Sequence, residues 1–262
     1  RVDNVGQDEI SKLNQGFNQM ARQLAKQDET RQKFISDISH EFQTPLTSIQ
    51  GFANILKEED LPKEQRVKYA NIILYNSKRL SSLAKNMLQL TLLDREEIEL
   101  ELTNYSLVEQ MNRVISTQEN QAMEKNIEIV FEMPKKEIFI EGDEQRLEQV
   151  WTNIISNAIK YTNTGGTITC NVVQESCKKE DWCNMIITIA DNGIGMSEEF
   201  QKRIFETFER ERNTTLSHID GSGIGMGITK KLVDLMDGTI EVKSKQGEGS
   251  QFTVTIPCRK ES

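Results

Sequence analysis

Phe34–Ile49, FISDISHEFQTPLTSI, places one of the chain's two histidines in a run whose apolar residues recur every three or four positions. Phe34, Ile38, Phe42, Pro45 and Ile49 then share one face of an α-helix. His40 stands two residues from both Ile38 and Phe42, and two residues turn a helix by roughly 200°. If that pair forms the buried seam, the imidazole faces solvent. Glu41 lies one step round, close enough to accept a hydrogen bond from the ring or to act on a proton there, and Thr44 at i+4 shares the histidine's face. Pro45 removes an N–H and crowds the carbonyl of Glu41, at a cost of roughly 3 kcal/mol inside a helix, so a kink is expected just after the His-Glu pair. These residues alone leave two readings open: a strained reaction site, or a solvated surface pair on a helix that Pro45 merely bends.

The helical pattern extends in both directions. Upstream, Ile10, Leu13, Phe17, Met20 and Leu24 form an amphipathic or coiled-coil stripe that runs without a break into the histidine stretch. Downstream, Ile49, Phe52, Ile55 and Leu56 carry it to the acidic cluster Glu58, Glu59, Asp60 and a turn at Leu61-Pro62. A second long helix is expected from Lys63 or Glu64, carrying Val67, Ile72, Ile73, Leu80, Leu83, Met87, Leu90 and Leu93. Two such helices joined by a short loop make an antiparallel hairpin. A lone hairpin covers only part of its two apolar stripes, so a homodimer through a four-helix bundle is expected.

After Leu93 the charged string DREEIELEL leads into an α/β alternation. Asn104, Tyr105 and Ser106 suggest a turn and cap before a helix over 107–125, then strands over 127–131 and 137–140 and a helix over 144–161. Strands over 167–174 and 185–190, a glycine-rich loop, a short helical piece, a helix over 224–236 and strands over 239–244 and 251–256 complete the chain. The expected architecture is an α+β two-layer sandwich, one mixed sheet covered by about three helices.

Within it, QVWTNIISNAIKY puts Asn153, Asn157, Lys160 and Tyr161 along one side of a helix while Val150, Ile154, Ile155 and Ile159 serve the core. Amide oxygens ligate hard cations, lysine meets phosphate as a point charge, and tyrosine offers a flat face to a purine. In DNGIGM, Asp191 can accept from an exocyclic amine, while Gly193 and Gly195 let the backbone come close to a ligand. GSGIGMGI, with Gly221, Gly223 and Gly225 before Met226 and Gly227, opens a helix whose first N–H groups suit phosphate oxygens. Neither a Rossmann fingerprint nor a Walker lysine occurs.

At 262 residues the chain has room for about two domains. A net charge of −9 argues against non-specific nucleic-acid binding, which depends on a basic surface, and no nucleic-acid partner is expected. Cys170, Cys177, Cys183 and Cys258 form no CxxC pair and read as reduced thiols. No apolar run reaches the roughly 18 residues that a membrane span requires, so the chain as given is expected to be soluble.

FISDISHEFQTPLTSIQGF resembles the phospho-acceptor H box of the sensor histidine kinases of two-component systems. The pieces that follow, including RIFETFER (203–210) and GEGSQFTV (247–254), resemble in order the N, glycine and F boxes of their ATP-binding domain, which shares the GHKL or Bergerat fold of gyrase-type and chaperone ATPases. The resemblance implies that His40 is phosphorylated, that Glu41 assists as acid or base, and that Thr44 positions water when a partner is dephosphorylated. It further implies ATP and Mg²⁺ as cofactors, Asn157 as metal ligand, Asn153 lining the site, Lys160 and Arg210 meeting phosphates, Tyr161 packing on the base and Asp191 reading the adenine amino group. The partner is then the receiver domain of a response regulator. Gln43 departs from the arginine usual in the family, and Met226-Gly227 from leucine and alanine, so a looser helix start is expected there. Glu211 to Asp220, containing His218, reads as a mobile lid. Asp8, Glu9, Ile10 and LNQGFNQMARQL resemble the end of a HAMP domain, implying membrane anchoring upstream and a cytoplasmic position for this portion. The expected domains are 1–28 (HAMP end or signalling coiled coil), 29–96 (dimerisation and phosphotransfer) and 97–262 (ATP binding). An ATP-driven conformational module without phosphohistidine chemistry is the alternative, and the exposed HEFQT face distinguishes the two.

Overall fold

The three- and four-residue apolar spacing continues from the leader into the histidine stretch, and a single helix, α1 (Glu9–Ile55), forms over both. The computed structural model describes residues 9–58, 60–93, 98–132, 137–176, 182–211 and 221–259. It divides into two compact units, Arg1–Ala84 and Lys85–Ser262.

In the first unit α1 stays α-helical through Pro45, which is buried. Pro45 cannot donate to the carbonyl of Glu41. Around it the hydroxyls of Thr44 and Thr47 donate to the carbonyls of His40 (3.1 Å) and Gln43 (2.9 Å). Helix α2 (Lys63–Leu93) starts directly after Pro62, with Glu64 in its first turn favouring the positive end of the helix dipole. Contacts across the hairpin run in opposite order along the two helices. The Phe52 and Tyr69 rings lie 5.1 Å apart, buried Asn76 donates to Ser48 Oγ at 3.2 Å, and Arg79 meets Glu41 at 3.0 Å. The expected antiparallel hairpin is therefore present. It leaves Leu46, Val67, Leu74 and Tyr75 exposed. No described helix is long and apolar enough to cross a membrane.

The boundary between these two compact units falls inside α2. Past Ala84, Gln89 and Gln149 exchange side-chain amide hydrogen bonds (2.6 Å for Gln149 Nε2 to Gln89 Oε1), and Leu90 and Leu93 are buried. The last turns of α2 are thus part of the second unit.

That unit is built on β1 (Leu102–Ser106), α3 (Leu107–Glu124), β2 (Glu128–Glu132), β3 (Phe139–Asp143), α4 (Glu144–Tyr161), β4 (Thr167–Ser176), β5 (Trp182–Asp191), α5 (Glu198–Gln201), α6 (Gly225–Leu235), β6 (Thr239–Lys245) and β7 (Gly249–Arg259). Five strands form a mixed sheet in the order β2-β4-β5-β7-β6, with only the β2–β4 pair parallel. The expectation of one sheet needs correction, because β1 and β3 pair antiparallel in a separate two-stranded sheet. Asn104 and Tyr105, expected in a turn, lie in β1, opposite Glu141 and Ile140. Ser106 does cap α3 as expected, its side chain accepting from Glu109 N.

Alternation along β5 buries Cys183, Met185, Ile187 and Ile189. On α4, Leu147, Val150, Trp151, Ile154 and Ile155 are fully buried. Buried Gln110 accepts from Trp151 Nε1 at 2.8 Å and donates to the Glu144 carbonyl at 2.7 Å, so the indole N–H and this amide find partners inside the core. Burial of α4's apolar stripe turns its other side, with Asn153, Asn157 and Lys160, toward α6 and the site.

Candidate nucleotide and phospho-acceptor sites

In the first unit His40 is exposed on α1, as the two-residue offset from Ile38 and Phe42 requires. Glu41 is turned toward α2 instead of the ring: Oε2 accepts from Arg79 Nη2 at 3.0 Å, with both side chains about one-quarter exposed (24% and 25%). Local spacing could not show this, because Arg79 lies 38 residues away. A cation therefore sits beside Glu41 although Gln43 replaces the family's arginine.

In the second unit the end of α4, the loop after β5 and the start of α6 converge on an open cavity of about 1090 Å³, counting the solvent at its mouth. Asp143 caps α4, accepting from Arg146 N at 3.1 Å, and the following 18-residue helix delivers Asn157, Lys160 and Tyr161 to the wall. Asp191, Gly195, Arg210, Gly221, Gly223, Gly225 and Met226 also line it. Two expected residues stand behind the wall. Asn153 spends its amide on α6, donating to the Gly225 carbonyl at 3.2 Å and to Thr229 Oγ1 at 3.1 Å. Gly193 donates its N–H to Asp191 Oδ1 at 2.9 Å.

The sequence reading missed much of the apolar lining, including Met196, Phe200, Ile204 and Phe252, and the acids Glu209 and Glu211. Apolar and acidic residues at these positions carry no local sign of a ligand, and only the chain path brings them to one opening. Glu211 Oε1 accepts from Ser197 N at 2.9 Å. The rest of the expected lid, 212–220 with His218, lies outside the described residues, as does Cys177. At Gly227 a Cβ would lie 2.9 Å from Thr207 Cγ2 and 3.4 Å from the Phe205 carbonyl. The F-box segment approaches the helix too closely for a larger residue to enter without the threonine moving.

Burial raises the pKa of Asp191, opposed in part by N–H groups of Gly193 and Ser250 that favour the carboxylate. Burial likewise raises that of Tyr161, with Arg210 opposing. Lys160 Nζ stands 4.8 Å from the Tyr161 ring centroid, a cation–π contact at the ring's edge of the cavity. Because the folded carboxyl of Asp191 titrates above the ordinary 3.8, the folded chain holds more protons than the unfolded one between the two values. Stability from this group is therefore greatest at low pH and falls as pH rises through the folded value. Asp191→Asn should accordingly leave the melting temperature at neutral pH equal to or above the parent's while removing nucleotide affinity. Parallel thermal melts and nucleotide titrations check both halves, and a large drop in melting temperature would contradict this balance.

No cluster of three or more His, Cys, Asp or Glu able to hold a metal occurs among the described residues. Asn157 on the cavity wall fits Mg²⁺ in the mode where one or two protein oxygens act together with nucleotide phosphates.

Residues 30–96 match the family described as His Kinase A (phospho-acceptor) domain, and residues 142–260 match that described as Histidine kinase-, DNA gyrase B-, and HSP90-like ATPase. The chain is 34% identical over 230 residues to Hybrid signal transduction histidine kinase A of Dictyostelium discoideum, covering 86% of this chain and 11% of that protein. It is 30% identical over 231 residues to Sensor protein kinase WalK of Staphylococcus aureus, covering 87% and 54%. The chain thus spans about half or less of the curated relatives it matches. Among solved structures, histidine kinase ThkA in complex with response regulator protein TrrA aligns with a TM-score of 0.70 at 25% identity, over 96% of this chain and 68% of that one. Full-length ShkA in complex with AMPPNP aligns with a TM-score of 0.61 at 28% identity, over 86% and 45%.

Proposed function

The chain belongs to the sensor histidine kinases, and on that premise we propose that it transfers the γ-phosphoryl group of ATP to His40 and from there to an aspartate of a response regulator. The observation that supports this reading is an exposed His40 next to Glu41, with Thr44 on the same helix, in a chain whose second unit has an open cavity lined by half-buried Asp191. In the first step an imidazole nitrogen of His40 attacks the γ-phosphorus, the bond to the β,γ-bridging oxygen breaks and ADP leaves. Glu41, once released from Arg79, takes the proton that the ring gives up. Such transfer depends on positioning and charge neutralisation more than on covalent chemistry from the protein.

In the second unit Asp191 accepts from the adenine amino group, Tyr161 packs on the base, and Lys160 and Arg210 meet phosphates. The N–H groups at the start of α6, with Gly221, Gly223 and Gly225 before and within its first turn, approach the phosphates closely. Asn157 would hold Mg²⁺, which when bound offsets phosphate charge. Thr44 would orient water when the regulator's phosphoaspartate is hydrolysed.

Exposed Leu46, Val67, Leu74 and Tyr75 on the hairpin support a homodimer through a four-helix bundle. The unbroken run of α1 from Glu9 supports an input arriving along that helix. We extend the reading to a HAMP domain and membrane anchor upstream in the natural protein, with this portion cytoplasmic.

The test is incubation of the chain with Mg²⁺ and γ-labelled ATP. A base-stable, acid-labile phosphoryl group that passes to a cognate receiver domain is the expected product. Hydrolysis of ATP without protein labelling would replace this reading with an ATP-driven conformational module.

A further inference from the structure

The end of α4 delivers both Lys160 and Tyr161 to the cavity, yet the last carbonyls of a helix have no intrahelical donor. Here one side chain from another helix serves them. Lys125, the C-cap residue of α3, sends Nζ to the carbonyls of Lys160 at 2.7 Å, Ile159 at 2.9 Å and Thr162 at 3.3 Å. An ammonium has three donors, and each finds an acceptor. The charge is also of the right sign for the negative end of the helix dipole. Burial of Lys125 lowers its pKa, a cost the three carbonyls offset.

The surrounding backbone ties this cap to the ligand loops. The Lys125 carbonyl accepts from Gly165 N at 3.0 Å, which closes the loop after α4 against the end of α3. On the far side of the same peptide stretch the Tyr161 carbonyl accepts from Ile194 N at 3.1 Å. The chain from Lys160 to Thr162 is therefore held between Lys125 and the loop that follows Asp191. Lys125 itself is not part of the cavity wall.

We propose that Lys125 is a positioning residue of the nucleotide site, fixing the end of α4 so that Lys160, Tyr161 and the Asp191–Gly195 loop meet the nucleotide together. This rests on the nucleotide-binding reading above. Lys125→Met keeps the apolar stem and removes every donor, whereas Lys125→Arg keeps charge and donors. Calorimetric titration with AMPPNP and Mg²⁺, well below each variant's melting temperature, should give a Kd raised roughly tenfold for Lys125→Met and within about threefold of the parent for Lys125→Arg. Amide exchange at Ile194 should accelerate in the methionine variant alone, and by more than at the core amides of β5, which general destabilisation would accelerate equally. A methionine variant within about threefold of the parent overturns the proposal, as does equal weakening in both variants. A raised Kd with Ile194 still protected overturns the route through the Tyr161 carbonyl. If Lys125→Met does not fold, Lys125→Gln takes its place under the same criteria. A parent chain that binds no nucleotide overturns the nucleotide reading itself, an outcome distinct from a parent that binds and a variant that binds equally well.

Discussion

His40→Ala is expected to reduce transfer of label from γ-labelled ATP to the protein by at least ~10³-fold, the scale on which removal of an attacking group acts. On the proposed function the imidazole is the acceptor, and nothing on the same helix face replaces it. Glu41 is paired with Arg79, and the Thr44 hydroxyl donates to the His40 carbonyl. Nucleotide affinity should remain within about twofold of the parent, because the described residues that line the cavity all belong to the unit that does not carry His40. Stability should change little as well, since exposed positions away from a packed seam tolerate truncation within about 0.5 kcal/mol. Labelling, nucleotide titration and thermal melting on one preparation separate these effects. Persistent base-stable label in the variant would move the acceptor elsewhere, and His218 would be the first residue to substitute.

The second large effect concerns the turn between β6 and β7. Gly249 has φ +103°, and a Cβ there would lie 1.9 Å from the Asp191 carbonyl oxygen and 2.8 Å from Asn192 Cα. Both obstacles are backbone, so no rotamer change relieves them. Gly247, two residues earlier, has φ +82° but open space around its Cβ position. The pair separates strain from collision. Gly247→Ala should cost about 1–2 kcal/mol from the left-handed backbone alone. Gly249→Ala should cost more than ~4 kcal/mol, at the upper end for a single substitution, and should weaken nucleotide binding because relief of the collision displaces Asp191. Denaturant unfolding of both variants measures the difference. Equal losses would mean that the approach of the turn to Asp191 does not constrain the site.

Much of the scaffold is legible because its signals are local. The helix expected over 144–161 coincides with α4, where Asp143 supplies the cap and the apolar stripe continues to Ile159. The continuity of α1 and the start of α2 at Lys63 likewise follow from spacing and from Pro62. Strand β1 was not legible, since Asn104 and Tyr105 have turn character locally and become a strand only by pairing with residues over 30 positions away. The second sheet went unseen for the same reason.

The site divides along the same line. Residue types at motif spacing mark His40, Asn157, Lys160, Tyr161, Asp191 and the glycines of the α6 entry, because the chemistry of phosphate, cation and purine demands those groups in short local patterns. Which way each side chain is turned depends on partners brought by tertiary packing. Folding alone pairs Glu41 with Arg79, commits Asn153 to α6, seats Gly249 against Asp191 and sets Lys125 over the end of α4. Periodicity along a chain specifies which face of an element is buried; what that face meets is settled only when distant segments close on one another, and hydrogen bonds act over a few ångströms of space, whatever the separation in sequence.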